Sequence, residues 1–240
     1  MYLAPADIGV GTRESVEDVA RGLSRWVHVI IARTFAQKTI EDLARCASIS
    51  VINALSNTEH PCQALADYLT VLEKFGDVTT PKVAYVGDGN NVCVSLLYLA
   101  ATLGATLSIS TPSGYEPPQE VFMKAKEIGQ VSGAKITVTQ DPGKAVEGAD
   151  IIYTDVWTSM GQEESAETRR LNFQSHRVDE QLMAKTGKKT LFMHCLPAHR
   201  DEEVSPGVID GPNSIVFDQA ENRLHVQKAI LYRLLVERER

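Results

Sequence analysis

The stretch L-F-M-H-C-L-P-A-H-R (Leu191–Arg200) brings a thiol and two imidazoles to the point where an apolar run ends. Its first three residues are typical of the end of a buried strand. Pro197 cannot continue that strand, because proline lacks the N–H that a sheet interior needs. His194 and Cys195 are therefore predicted at the carboxyl end of a strand. In an open α/β sheet, this edge is where ligands bind.

Short apolar runs alternate with helical patterns on both sides of this stretch. The predicted strands are residues 27–32, 50–54, 82–86, 107–110, 136–139, 151–154, 189–193 and 214–217. Helices are predicted over 15–25, 39–47, 63–76, 92–103, from the loop at 112–118 through 128, and over 221–239. Alternation of strand and helix is the pattern of a parallel sheet. We therefore expect an α/β protein with parallel sheets flanked by helices.

A short polar stretch at 76–81 separates two periodic blocks and is the best candidate for a domain boundary. With 240 residues, the chain is long enough for two domains. The predicted domains are 1–78 and 79–220. Residues 221–240 form a C-terminal helix that is expected to pack back on the first domain.

Composition and charge exclude several classes of function. The net charge of -7 argues against a surface for nucleic acid or anionic membrane, which needs clustered Lys and Arg. No apolar run is long enough to span a bilayer, and no signal or transit pattern follows Met1. The four cysteines are scattered without zinc-ligand spacing, which favours a reducing compartment. We expect a cytoplasmic protein, or an organellar one if a presequence has been removed.

Three polar residues of the first block lie at or just beyond predicted strand ends: Arg33, His60 and Gln63. An arginine alone at such a place is usually part of a surface salt bridge, and a His-Pro pair alone is usually a turn. Together they offer a fork of donors, an imidazole N–H and an amide, which suits a phosphate or a polarised carbonyl. We favour the binding interpretation for the set.

Asp155 follows the predicted strand 151–154 and begins the loop D-V-W-T-S-M-G (Asp155–Gly161). The simplest interpretation is a surface loop. A carboxylate at a strand end followed by Ser, Met and Gly also fits a site with a mobile lid, in which the acid holds a cationic amine. Cys195 on a neighbouring strand end would approach the same amine, although a buried cysteine is more often inert packing.

The turn Gly87-Asp88-Gly89 after a strand suggests a dinucleotide site, but the signal is weak. Val92 replaces the third glycine of the fingerprint, and no acid for a ribose hydroxyl ends the next strand. A tight strand-to-helix turn is the better interpretation. Asn90 and Asn91 at the same edge offer amide groups for a carboxylate or an amine. The later run Glu221-Asn222-Arg223 is, by itself, typical of helix capping.

In this order, several stretches resemble the aspartate/ornithine transcarbamylase family, and within it the ornithine carbamoyltransferases. The matching stretches are H-P-C-Q (His60–Gln63), V-G-D-G-N-N (Val86–Asn91), D-V-W-T-S-M-G (Asp155–Gly161), H-C-L-P (His194–Pro197) and A-E-N-R (Ala220–Arg223). H-P-x-Q is shared across transcarbamylases, whereas S-M-G together with H-C-L-P is specific to the ornithine enzymes. The resemblance covers nearly the whole chain.

The resemblance implies transfer of a carbamoyl group from carbamoyl phosphate to the side-chain amine of L-ornithine, without a metal or organic cofactor. The residues implied for carbamoyl phosphate are Arg33, His60, Gln63, Cys195, Leu196 and Arg223. Those implied for ornithine are Asn91, Asp155, Ser159 and Met160. At the reacting centre the resemblance implies Asp155, Cys195, Arg223 and His60. A homotrimer, or a multiple of trimers, is also implied.

Two departures from the family stand out. The phosphate-binding S-T-R-T motif, which in the family lies upstream of the position where this chain begins, occurs nowhere in the 240 residues. The carbamoyl-phosphate domain is therefore expected to be incomplete, with weaker phosphate binding. Gly9 stands where the family commonly has a glutamine that reaches the neighbouring subunit's site.

These departures leave two hypotheses. The first is an ornithine carbamoyltransferase whose sequence is truncated at the amino terminus. The second is a non-catalytic relative that keeps the amino-acid site and binds ornithine or a similar ligand. A nucleotide-dependent dehydrogenase is a distant third.

Overall fold

The structure is a computed structural model that describes residues 1–4, 9–159, 161 and 163–237. The helices are α1 (Val16–Leu23), α2 (Gln37–Cys46), α3 (Pro61–Phe75), α4 (Asn91–Leu103), α5 (Gln119–Ser132), α6 (Pro142–Val146), α7 (Ala166–Phe173), α8 (Glu180–Ala184), α9 (Pro206–Ile209) and α10 (Val216–Leu235). The strands are β1 (Val29–Arg33), β2 (Ser50–Leu55), β3 (Lys82–Val86), β4 (Thr106–Ser110), β5 (Lys135–Thr139), β6 (Ile151–Thr154) and β7 (Leu191–His194).

Within the described residues, the larger sheet has five parallel strands in the order β5-β4-β3-β6-β7. The chain runs outward from β3 to β5 and then returns to β6 on the other side of β3. The strand order therefore reverses between β3 and β6, and the carboxyl ends of these two strands border a crevice where α/β proteins bind ligands. The predicted α/β class is confirmed.

The core lies on both faces of this sheet because successive side chains of a strand point to opposite sides. Tyr85 and Tyr153 face one side, where they pack with α4, while Ala84 and Ile152 face the other. All four are fully buried. Burial on both faces explains why these strands appear in the sequence as continuous apolar runs.

The first block contains a two-stranded parallel sheet, in which β1 pairs with β2. Ile30 and Ala32 of β1 point toward α1 and α2 and are buried with Val19 and Leu43. Ile31 points the other way and is 57% exposed. One face of this sheet is therefore covered by helices, and α3 leads from its second strand toward the larger sheet.

The last helix begins earlier than the sequence pattern predicts. Residues 214–217 were expected to form a strand, and this expectation is wrong: Ser214 makes only an isolated bridge to Phe192, and α10 starts at Val216. Burial recurs every third residue, at Val216, Gln219 and Asn222, which is a helical period. Helix α10 packs against α3. None of the described helices, α10 included, is long and apolar enough to cross a membrane.

Candidate active site

Strand register brings the first part of the site together. Strands β6 and β7 are parallel neighbours, with Thr154 opposite His194. The residues that follow, Asp155 and Cys195, therefore leave the sheet side by side. The Cys195 thiol donates to Asp155 Oδ1 across 3.0 Å. The structure thus brings together the acid and the thiol that the sequence placed at separate strand ends.

Asp155 is 6% exposed and accepts hydrogen bonds at both carboxylate oxygens. Asn90 Nδ2 donates to Oδ2 across 2.7 Å, and the Val156 N–H donates to Oδ1 across 2.8 Å. Asn90 Nδ2 also lies 3.3 Å from Ser159 Oγ. Since Asn90 follows β3 and Asp155 follows β6, this cluster lies in the crevice where the strand order reverses. Its donors hold the carboxylate in one orientation.

Burial, reinforced by the neighbouring Asp155 charge, raises the pKa of the Cys195 thiol well above its usual value. The sulfur therefore stays protonated at neutral pH and serves as a hydrogen-bond donor. Nucleophilic cysteines have lowered pKa values beside cations or helix N-termini. The surroundings of Cys195 are the opposite and favour a role in orientation over covalent catalysis.

The second part of the site comes from α3 and α10. His60 is the N-cap residue of α3, and its backbone N–H donates to Ser95 Oγ in α4 across 2.7 Å. Three residues later, Gln63 Oε1 accepts from Arg223 Nη1 of α10 across 3.0 Å. Residues separated by 160 positions in the chain are thus joined directly. His60, Gln63 and Arg223 therefore converge on one end of α3.

The His60 imidazole is neutral at physiological pH. Burial lowers its pKa to about 4, helped by the positive charges of Arg223 and Arg33, while the charge of Asp155 opposes the shift. Its Nδ1 atom is buried without a hydrogen-bond partner among the described residues. A buried polar atom without a partner is costly unless something binds it. This nitrogen is therefore available to a ligand.

We expect His60 to make the protein less stable in mild acid. The unfolded chain protonates histidine at the ordinary pKa of 6.5, whereas the folded chain does so only near 4, so the stability associated with this group falls as pH drops from 6.5 toward 4. Between pH 7.5 and 5, the free energy of unfolding should fall by about 2 kcal/mol more in the wild type than in His60→Gln.

Urea unfolding at the two pH values measures this difference. His225→Gln, which changes an exposed histidine of α10, serves as the matched control and should retain the wild-type dependence. Equal acid sensitivity of the wild type and His60→Gln would contradict a neutral His60.

A buried ion pair holds the base of the loop after β6. Arg169 of α7 pairs with Asp88, and both side chains are 7% exposed. Arg169 Nε also donates to the Trp157 carbonyl across 2.5 Å, and its guanidinium lies over the rings of Tyr115 and Phe173. The two ends of the loop are thereby tied together and to the turn after β3.

Comparison with known proteins decides the family. The aspartate/ornithine carbamoyltransferase family matches over nearly the whole chain, its carbamoyl-P binding domain at residues 1–73 and its Asp/Orn binding domain at residues 80–234. The chain belongs to this family. Ornithine carbamoyltransferase of Pyrococcus horikoshii is 52% identical over 98% of this chain and 74% of its own length. That of Halalkalibacterium halodurans is 50% identical, with the same coverage of both chains.

Solved structures of the family give the same result. Ornithine carbamoyltransferase from Pyrococcus furiosus superposes with a TM-score of 0.94 at 51% identity, covering 98% of this chain and 75% of that one. The enzyme from Thermus thermophilus superposes with a TM-score of 0.87 at 45% identity, covering 98% and 76%. The chain thus spans about three quarters of the length of these relatives.

Within this carbamoyltransferase fold, the remaining predicted residues lie at different places. Asn91 Nδ2 donates to the Ser56 carbonyl across 2.8 Å and so links the two blocks, while Asn90 contacts Asp155. The Leu196 N–H donates to His194 Nδ1 across 2.9 Å. Arg33 is exposed at the end of β1. The remaining predicted residue, Met160, lies outside the described residues.

The sequence interpretation missed several polar residues that support the site, among them Asp67, Arg169 and Gln219. Asp67 was detectable in principle, because it lies one helical turn after Gln63 and such pairs share a helix face. Gln219 was hidden because residues 214–217 were read as a strand. Arg169 gave no signal, since its partner Asp88 is 81 positions away.

Metal-ligand side chains meet at two places in the part of the chain that the structure describes: Asp155, His194 and Cys195, and His199, Glu202 and Glu203. In the first group the Cys195 thiol donates to Asp155, His194 Nδ1 accepts from a backbone N–H, and His194 Nε2 lies 3.3 Å from Glu203 Oε1. In the second group Glu202 is paired with Arg170. Neither group is needed for the chemistry considered below.

Proposed function

We propose that the chain transfers the carbamoyl group of carbamoyl phosphate to the side-chain amine of L-ornithine, giving L-citrulline and phosphate. The close similarity to ornithine carbamoyltransferases over nearly the whole chain supports this reaction. One observation of the site carries it: the charges of Arg223, Arg33 and Asp155 all act on the pKa of His60. Cations suited to a phosphate and an anion suited to an amine therefore share the surroundings of one neutral imidazole.

Carbamoyl phosphate is bound from the side of α3 and α10. Arg33 and Arg223 supply charge-assisted hydrogen bonds to its phosphate, which guanidinium groups recognise well. Gln63 and the neutral His60 bind the carbamoyl group through neutral donors and acceptors. The hydrogen bond to Gln63 already orients Arg223, so binding of the ligand costs less conformational entropy of this side chain.

Ornithine is bound at the crevice between β3 and β6. Asp155 accepts from the side-chain amine, and Cys195, next to it, orients the same group. Asn91 and the loop residues Ser159 and Met160 bind the amino-acid end. Gly161 of this loop lies beside Phe35 of the first block at a φ of 84°, and an added Cβ would come within 2.9 Å of the ring. Glycine therefore lets the loop approach the first block and exclude water.

In the reaction, the nitrogen of the deprotonated amine attacks the carbamoyl carbon. A C–N bond forms, the C–O bond to phosphate breaks, and the second proton of the amine passes to the phosphate that leaves. Negative charge that develops on the carbamoyl oxygen is stabilised by His60 and Arg223, together with the backbone at Cys195 and Leu196. Most of the rate enhancement comes from alignment and fixed electrostatics, because the protonated thiol offers no covalent path.

The non-catalytic alternative keeps the ornithine site and lacks the transfer. The convergence of the phosphate-side residues Gln63 and Arg223 argues against it, since an amino-acid sensor has no use for that half of the site.

The further proposals are that the chain works in the cytoplasm in arginine metabolism and assembles as a trimer. The four cysteines, all free thiols in the described structure, are consistent with a reducing compartment.

Citrulline formation from carbamoyl phosphate and ornithine tests the proposal, with the wild-type chain compared with Cys195→Ala. We expect turnover by the wild type and a fall in kcat of roughly tenfold in the variant, because a positioning hydrogen bond to Asp155 is lost. Cys46→Ala, at the end of α2, is the matched control and should retain full activity. Ornithine binding by calorimetry without citrulline formation would contradict transfer and favour the non-catalytic alternative. Light scattering checks the trimer.

A further inference from the structure

A buried carboxylate is bonded to both α3 and α10 beside the site and has no role in the proposed reaction. Asp67 of α3 is 1% exposed. Its Oδ1 accepts from Gln63 Nε2 across 2.8 Å and from Gln219 Nε2 of α10 across 2.7 Å. Buried carboxylates are rare unless they are bonded in this way. Nothing in the proposed reaction requires an acid here, so its presence needs another reason.

Asp67 Oδ1, which accepts from both glutamines, determines the orientation of their two side-chain amides. A glutamine amide has one donor side and one acceptor side, and hydrogen-bond partners decide which way each side faces. Because Asp67 binds both NH₂ groups, both carbonyl oxygens must point away from it. Gln63 Oε1 then accepts from Arg223 Nη1 across 3.0 Å. Gln219 Oε1 accepts from the His194 N–H across 2.9 Å.

This network joins three elements at one point. Through Gln63 it reaches Arg223, on the carbamoyl-phosphate side. Through Gln219 it reaches the backbone at the end of β7, one residue before Cys195, whose thiol bonds to Asp155. The hydrogen bond from Gln219 to Asp67 joins residues that are 152 positions apart in the chain. The distance between the phosphate-binding and amine-binding groups is therefore set through this carboxylate.

The surroundings keep Asp67 an acceptor. Burial raises its pKa to about 7, opposed by the amides of Gln63 and Gln219, by the Tyr153 hydroxyl and by the charge of Arg223. The other titratable groups that face it are Tyr68 of its own helix, Tyr153 of β6 and Cys195. Oδ1 can accept hydrogen bonds from both amides whether or not the carboxyl is protonated, because a proton can sit on Oδ2.

We infer that Asp67 is a positioning residue for carbamoyl transfer, which fixes Gln63 and Arg223 relative to the turn that carries Cys195 by orienting the amides of Gln63 and Gln219. The inference rests on the proposed function. It predicts that the acceptor atom matters and that the charge does not, so asparagine should substitute for Asp67 and alanine should not.

Four variants separate these possibilities. Asp67→Ala removes the acceptor, and Asp67→Asn keeps it without the charge. Gln219→Met removes both bonds of Gln219, to Asp67 and to the His194 N–H, but leaves the bond from Gln63 to Asp67, and it is the second route if Asp67→Ala does not fold. Thr70→Val is the matched control: it removes another buried bond between α3 and α10, from Asn222 Nδ2 to Thr70 Oγ1 across 3.0 Å, outside the network.

Steady-state kinetics of citrulline formation give the first readout. Asp67→Ala should lower kcat about 10²-fold and raise KM for carbamoyl phosphate, since small displacements of aligned groups cost rates of this order. Asp67→Asn should stay within about fivefold of the wild type. Gln219→Met should lower kcat but keep KM for carbamoyl phosphate, because Gln63 and Arg223 remain held. Thr70→Val should leave both constants unchanged.

Alkylation of Cys195 by iodoacetamide, followed site by site with mass spectrometry, gives a readout that needs no turnover. Loss of one buried hydrogen bond makes local opening about tenfold more populated. Asp67→Ala and Gln219→Met should therefore label Cys195 about tenfold faster, with Cys46 labelled at the wild-type rate.

Equal acceleration in Asp67→Asn and Asp67→Ala would show that the charge acts on the thiol and would overturn the inference, as would acceleration in Thr70→Val or none in Asp67→Ala. A wild-type chain without citrulline formation refutes the proposed function, while the labelling result still decides the role of Asp67.

Discussion

Asp155→Asn should lower kcat for citrulline formation by about 10²–10³-fold, the loss typical of removing one preorganised electrostatic group. The carboxylate is 6% exposed and is held by Asn90, Val156 and Cys195. Asparagine has nearly the same shape but carries no charge for the amine. It also places an NH₂ group against the donors of Asn90 or Cys195. Steady-state kinetics at saturating carbamoyl phosphate measure the effect.

Asp150→Asn is the matched control for this prediction. Asp150 immediately precedes β6, the strand that Asp155 follows, and it accepts from the Lys82 N–H across 2.8 Å at the opposite edge of the sheet. Its replacement removes a carboxylate that pairs with Lys188 at the other end of this strand and leaves the site unchanged. The variant should retain wild-type kcat. If Asp155→Asn kept more than about a tenth of wild-type activity, an essential role for the carboxylate would be refuted.

Arg169→Met should lower the free energy of unfolding by about 3–5 kcal/mol, because it leaves a buried carboxylate without its partner. Burial already raises the pKa of Asp88 to about 6, and Arg169 counters this shift. Methionine preserves the packing between Tyr115 and Phe173 but supplies neither the charge nor the bond to the Trp157 carbonyl. Urea unfolding at pH 8 measures the loss.

The neighbouring Arg170 provides the control, because it pairs with Glu202 at the surface, with side chains 57% and 28% exposed. Arg170→Met should cost less than about 1 kcal/mol. The loss in Arg169→Met should shrink at pH 5, because without its partner Asp88 takes up a proton more readily in the folded chain. Equal losses for the two variants, or a loss that grows in acid, would contradict the buried ion pair.

Arg169→Met should also raise KM for ornithine more than it changes KM for carbamoyl phosphate. The bond from Arg169 to the Trp157 carbonyl ties the two ends of the loop that carries Ser159. Without it, the loop would be ordered only when ornithine binds, and that ordering would reduce affinity.

The sequence by itself determined the local structure and the places where chemistry occurs. Strands 82–86 and 151–154 were predicted with the bounds that the structure has, because a strand buried on both faces leaves a continuous apolar run. Asp155 and Cys195 could be placed at strand ends for the same reason. Motif order in the chain then indicated the family, which the comparisons confirmed.

Only the tertiary structure decided which side chains meet. The strand expected at 214–217 became the start of α10, because packing on the larger sheet buries Val216 and contact with α3 buries Gln219 and Asn222. Asp67 meets Gln219 across 152 positions, and Arg169 meets Asp88 across 81. The spacing of apolar residues in the sequence indicates which positions of one helix or strand are buried. A buried polar contact depends instead on which elements pack together. That packing joins distant residues, and it carries no local signal in the sequence.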